Sequence, residues 1–147
     1  MLRSPPVAAH GEFTLERRYE ASPSAVYAAW TDPATRARWF VGPDNWTELA
    51  REFRFGPGGS ERLHGRFGSG METLYVAHFH VIEPEWRVVY AYEMHVAGGL
   101  HSVSLATLEL KSDRGGTRLR YTEQLVFLDG TDPTKGAVSR KHGTGAH

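Results

Sequence analysis

Between residues 73 and 127 the sequence offers four strand-like runs with only short breaks between them. They cover residues 73–82, 86–94, 102–110 and 117–127. Each is rich in β-branched and aromatic residues and bounded by Gly, Pro or Asp, as strands are. Breaks this short join antiparallel neighbours, because parallel pairing needs a long crossover. Side chains alternate between the two faces of a strand. Val88, Tyr90, Tyr92 and Met94 therefore share one face of their strand, and Leu119, Tyr121, Glu123 and Leu125 share one face of theirs. Phenols and a carboxylate set among apolar groups suit a binding wall better than a dry core, since each needs a polar partner once buried.

The preceding chain supplies three more strands and two helices. Residues 1–11 are expected as a flexible N-terminal arm and 12–147 as one domain. Residues 13–20 alternate, with Phe13, Leu15 and Tyr19 on one face. Arg17 shares that face, either as a snorkelling side chain at a sheet edge or as the partner of a buried carboxylate. Ser22-Pro23 and Asp32-Pro33 each place a capping oxygen before a proline at the first helical position, so two short helices follow. The first carries Val26, Ala29 and Trp30 with Tyr27 beside them, and the second carries Trp39 and Phe40. Residues 46–55 and 60–67 read as strands. The glycines at 56, 58, 59, 65, 68 and 70 form neither a phosphate loop nor a dinucleotide fingerprint, because strands follow where those motifs require a helix. Lys111 to Gly116 (KSDRGG) is a hairpin signal. Asp132-Pro133 begins a last helix, which Gly143 and Gly145 weaken.

Composition narrows the partners. Among 147 residues, 17 Lys and Arg balance 17 Asp and Glu, so long-range electrostatics favour neither nucleic acid nor an anionic membrane. Arg51, Arg54, Arg62 and Arg66 fall on neighbouring strands, but Glu48, Glu52 and Glu61 interrupt them, which reads as a solvated mixed-charge face. The chain has no cysteine, and this excludes disulfides and thiol chemistry. No apolar run is long enough for a bilayer, and the first residues carry no apolar signal core, so a cytoplasmic location is expected.

The order of elements resembles the START-like, helix-grip (SRPBCC) superfamily. It is most similar to the bacterial branch named for similarity to the activator of the heat-shock-protein ATPase. The resemblance rests on ASPSAVYAAWTDP (Ala21 to Pro33), Arg38-Trp39-Phe40, Gly58-Gly59, VVYAYEM (Val88 to Met94), SVSLATLEL (Ser102 to Leu110), GTRLRYTEQ (Gly116 to Gln124) and FLDG (Phe127 to Gly130). It implies an α+β helix-grip fold: a seven-stranded antiparallel sheet, two short helices after strand one, and a C-terminal helix that covers a ligand cavity. In the family that helix is longer, so here it is expected to be curtailed. The face it would cover is then expected to meet a second copy of the chain, as a homodimer, or a tail beyond the given sequence.

Several side chains could carry chemistry. His78 and His80 share a strand face and could hold a metal with a third ligand such as His64, His95, His101 or Glu123, although pocket or interface roles suit them better. No metal and no cofactor is expected. Glu123 needs a partner if buried, and in the expected fold Arg17 lies on the adjacent strand. Ser102, Ser104 and Ala106 are small and alternate on one face, leaving volume beneath a lid. The expected ligand-binding set is Trp30, Trp39, His78, His80, Tyr90, Tyr92, Ser104, Tyr121 and Glu123. Three functions stay open. One is binding of a small hydrophobic or aromatic molecule, the second is a polyketide-cyclase or hydrolase-type enzyme with Glu123 or a histidine as acid–base, and the third is a co-chaperone stimulating a chaperone ATPase.

Overall fold

The computed structural model describes residues 6–145, so the first five residues of the expected arm lie outside it. The element order is β1 (Ala9–Tyr19), α1 (Pro23–Thr31), α2 (Pro33–Trp39), β2 (Trp46–Arg54), β3 (Ser60–Phe67), β4 (Glu72–Glu83), β5 (Arg87–Val96), β6 (Gly99–Asp113), β7 (Gly116–Phe127) and α3 (Pro133–Gly145). The seven strands form one antiparallel sheet in the order β1-β7-β6-β5-β4-β3-β2. This is the expected α+β helix-grip architecture. One difference lies at the start: β1 begins at Ala9, because residues 9–12 pair with Phe127 to Gln124 instead of trailing as an arm.

Local chemistry sets the element ends. Ser22 Oγ accepts from the Ala25 amide and Asp32 Oδ2 from the Thr35 amide, each satisfying a donor that the helix leaves free. Asp132 Oδ1 accepts from the Lys135 amide at 2.8 Å and does the same for α3. The β6–β7 hairpin turns on Arg114 and Gly115, both at positive φ, between the paired residues Asp113 and Gly116. That two-residue turn has the twist that antiparallel strands require.

All three helices pack on the same face of the sheet. The inner face is lined by Phe13 and Leu15 of β1, Tyr75 and Phe79 of β4, Val88, Tyr90 and Tyr92 of β5, Leu108 and Leu110 of β6, and Leu119, Tyr121, Leu125 and Phe127 of β7. Small residues let neighbouring elements approach. A Cβ on Gly11 would come 3.1 Å from Ala137 Cβ of α3, and one on Gly136 would lie 2.5 Å from the Phe127 ring. A Cβ on Gly65 of β3 would overlap the Trp46 indole at 1.8 Å, and one on Gly42 would reach it at 2.4 Å. Trp46 thus lies over Gly65 and donates from Nε1 to Thr73 Oγ1 at 2.9 Å.

Gly65→Ala must therefore expel the indole. It is expected to destabilise the fold by about 1–3 kcal/mol, the usual cost of overpacking. Gly68→Ala, whose Cβ would meet nothing within 4 Å, serves as its control. Urea denaturation of both variants checks this, and equal midpoints would contradict the packing argument.

Candidate functional site: two cavities around buried ion pairs

Glu123 is fully buried on the inner face of β7. Tyr92 donates to its Oε2 at 2.6 Å and Ser104 at 2.8 Å, while Tyr121 donates to Oε1 at 2.8 Å. Tyr90 in turn donates to Tyr121 at 3.3 Å. The countercharge arrives from α3: Arg140 Nη1 lies 3.2 Å from Glu123 Oε2 and donates to Tyr92 Oη at 2.7 Å, and Nη2 donates to Ser102 Oγ at 3.0 Å. The Tyr92, Ser104 and Tyr121 hydroxyls all donate toward the carboxylate. The small side chains of β6 create room for the guanidinium, and Ser102 and Ser104 supply two of its four acceptors.

A second buried pair lies toward β3. Arg36 of α2 makes a two-point contact with Glu61, Nε to Oε2 at 2.5 Å and Nη2 to Oε1 at 2.7 Å. The two residues are only 4% and 1% exposed. Trp30, Trp39, Phe40 and Phe53 surround the guanidinium, with ring centroids 4.4–5.6 Å from its carbon. Burial opposes the Arg36 charge, but the Glu61 hydrogen bonds and charge outweigh it and hold the pKa above its ordinary value.

Two cavities flank these pairs. One, of about 730 Å³, lies between α3, the α2–β2 loop and the inner face; Trp46, Leu63, Tyr75, Met94, Phe127 and Arg140 are among its walls. The other, of about 430 Å³, lies between α1, α2 and the β1–β7 side of the sheet, with Leu15, Ala25, Ala29, Trp30, Leu119 and Tyr121 among its walls. Phe40 contributes to both. Both volumes fall within the range of small-molecule sites, about 300–1,000 Å³.

The family model described as "Activator of Hsp90 ATPase homolog 1-like protein" matches residues 20–146. The chain belongs to that family. It is similar to an uncharacterised protein from Rhizobium leguminosarum at 35% identity, with a TM-score of 0.87 over 95% of this chain and 90% of the other. The Mll3558 protein from Rhizobium loti is 40% identical, with a TM-score of 0.84 over 94% and 92% of the two chains. CalU16 from Micromonospora echinospora, at 19% identity and a TM-score of 0.61 over 95% and 82%, shares the fold alone. No curated protein matches the sequence.

The inner face gathers most of the residues singled out from the sequence. Tyr90, Tyr92, Ser104, Tyr121 and Glu123 form one network, and Trp30 and Trp39 line the smaller cavity together with Tyr90 and Tyr121. The expected Arg17–Glu123 pair does not form. Phe13, not Arg17, is the register partner of Glu123; Arg17 stands opposite Leu119, four residues along the strand. At about 3.4 Å per residue, that is roughly 14 Å of backbone. His78 and His80 are exposed and line neither cavity, because β4 turns the bulkier Tyr75 and Phe79 inward. Glu61 is sealed inside instead of belonging to a solvated mixed-charge face. Among the described residues, no three His, Asp or Glu side chains converge as metal ligands, and no helix is long and apolar enough to cross a membrane.

Sequence reasoning missed Arg140, Arg36, Glu61 and Trp46. Glu61 left a readable signal, since it alternates with Leu63 and Gly65 on β3. Gly65 in mid-strand signalled a large neighbour lying over it. Arg140 left none, because nothing local indicates which face of α3 turns inward.

Removing one partner of a sealed ion pair strands the other charge. Glu61→Gln is expected to cost about 3–5 kcal/mol, and Arg36→Leu with Glu61→Leu together far less. Chemical denaturation of the single and double variants checks this; equal losses would contradict the pairing argument. Burial also raises the phenols of Tyr75, Tyr90, Tyr92 and Tyr121, with Tyr90 pushed up to about 12. A phenol raised in the folded state contributes stability that is complete below its unfolded value near 10 and is lost as pH climbs through the folded value. Stability is therefore expected to hold up to about pH 10 and then fall, each phenol adding about 1.4 kcal/mol per pH unit to the slope. Alkaline denaturation checks the window.

Proposed function

We propose that this protein binds a small hydrophobic or aromatic molecule in the cavity between the sheet and α3. The observation that carries the reading is the roughly 730 Å³ space, apolar along Leu63, Phe67, Met94 and Phe127 and edged by the Arg140 guanidinium. Binding would draw on desolvation of those walls. Orientation would come from the few polar groups at the edge. Arg140 spends both terminal nitrogens on Glu123, Tyr92, Ser104 and Ser102, while its Nε–H has no acceptor among the described residues. Thr73 Oγ1 accepts from Trp46, so its own proton is free to donate. A ligand carbonyl, hydroxyl or carboxylate oxygen would complement both donors.

Glu123 lines neither cavity, and four donors already surround it. An acid–base role would require direct reach to a substrate atom. The geometry therefore favours Glu123 as the fixed point that holds Arg140 and the phenols in place, and it favours a binder over an enzyme built on Glu123.

The test uses the neutral dye N-phenyl-1-naphthylamine with the full chain. Saturable fluorescence enhancement is expected, and Met94→Trp, which fills the cavity from β5, should weaken dye affinity at least about tenfold. The folded state of the variant is verified by circular dichroism. No enhancement with the wild type, or unchanged affinity in a folded Met94→Trp, refutes the reading.

A further inference from the structure

The smaller cavity has a different character at its mouth. On its α1 side, Ala25 and Ala29 of the helix and Ala21 just before it have short side chains that leave space against Leu15 and Leu119. Its interior polar groups are committed: Arg36 to Glu61, and Tyr90 through Tyr121 to Glu123. At the rim, Arg17 and Tyr19 are exposed. Neighbouring Arg18 is held by Glu20, Asp113 and the Arg114 carbonyl. Arg17 donates only to the carbonyl of Glu16, at 2.9 Å, and has no carboxylate partner among the described residues. An unpaired guanidinium thus stands at the mouth of an apolar cavity of about 430 Å³ whose inner end offers no uncommitted cation.

We infer that this second cavity takes a monocarboxylic acid with an aliphatic or aromatic body, seated with its apolar end toward Trp30 and its carboxylate on Arg17. The guanidinium fork matches a carboxylate at two points, and an alcohol of the same length has no equivalent for that pairing. Selectivity therefore resides at the rim, and the interior contributes apolar contact. Because the two cavities have different walls apart from Phe40, this inference is independent of the site beneath α3.

The probes are octanoate and 1-octanol, titrated calorimetrically against the full chain. Octanoate is expected to bind about tenfold or more tightly than 1-octanol, the scale of a charge-assisted hydrogen bond at a partly exposed site. Arg17→Gln should remove that preference without changing 1-octanol binding, and Arg17→Lys should retain part of it. Arg17 is exposed, so neither variant threatens the fold. Ala29→Phe should abolish the Arg17-dependent component of octanoate binding, and Met94→Trp should leave that component unchanged, which separates this site from the one beneath α3. Equal binding of the two probes, octanoate binding undiminished in Arg17→Gln, an Arg17-dependent component that persists in folded Ala29→Phe, or no octanoate binding at all overturns the inference.

Discussion

A carboxylate sealed beneath a β-sheet must be met by a cation, and the placement of two of the three helices, α2 and α3, follows from that requirement. Glu123 and Glu61 both point inward from the sheet and are buried almost completely. Glu123 is met by Arg140 of α3 and Glu61 by Arg36 of α2. Neither helix has much intrinsic stability. The second has seven residues, and the third contains Gly136, Gly143 and Gly145, each costing about 1 kcal/mol relative to alanine. Helices of this kind gain their order mainly from tertiary contact. The ion pairs are specific contacts that tell each helix where to dock, because displacement by one turn would strand a charge.

The cavities follow from this docking. Arg36 draws α2 against the sheet and carries Trp39 and Phe40 with it. Phe40 then packs edge-on against Tyr75, at 5.0 Å between centroids, and forms part of the wall on both sides. Arg140 fixes the roof of the larger space, and Gly136 lets that roof settle against Phe127. The sheet and the ion pairs thus jointly determine how much space is left unfilled.

The strands, the helix caps and the hairpin between β6 and β7 were legible in the sequence because each depends on residues close in the chain. Alternation also placed Tyr90, Tyr92, Tyr121 and Glu123 on one buried face. The charge pairings were not legible, since they depend on sheet register and on how a helix rotates as it docks. Arg17 lies on the strand next to Glu123 but four registers too far along it. Arg140 sits in a helix whose glycines blur any apolar stripe. For His78 and His80, alternation gave a shared face but not which face. That choice turned on the opposite set, Tyr75, Ala77 and Phe79, which buries more apolar surface.

The Glu123 network also constrains the chemistry available to the site. Burial keeps its phenols neutral, so they act as donors and not as bases. Burial opposes the Arg140 charge, but the nearby Tyr92 oxygen and Glu123 carboxylate outweigh it, so the guanidinium remains a cation. Such a network is rigid and polarised in one direction, which suits positioning better than proton exchange. Arg140 joins the floor of the larger cavity to its roof, with its side chain 16% exposed at the edge. A ligand oxygen taken up by the Arg140 Nε–H would add a contact to the group that already pins α3. Occupancy and docking of α3 would then reinforce each other, since a ligand that prefers the docked helix stabilises it by the same free energy that docking adds to binding. On the proposed reading, the buried carboxylate would act at one remove from a ligand, through the arginine it holds in place.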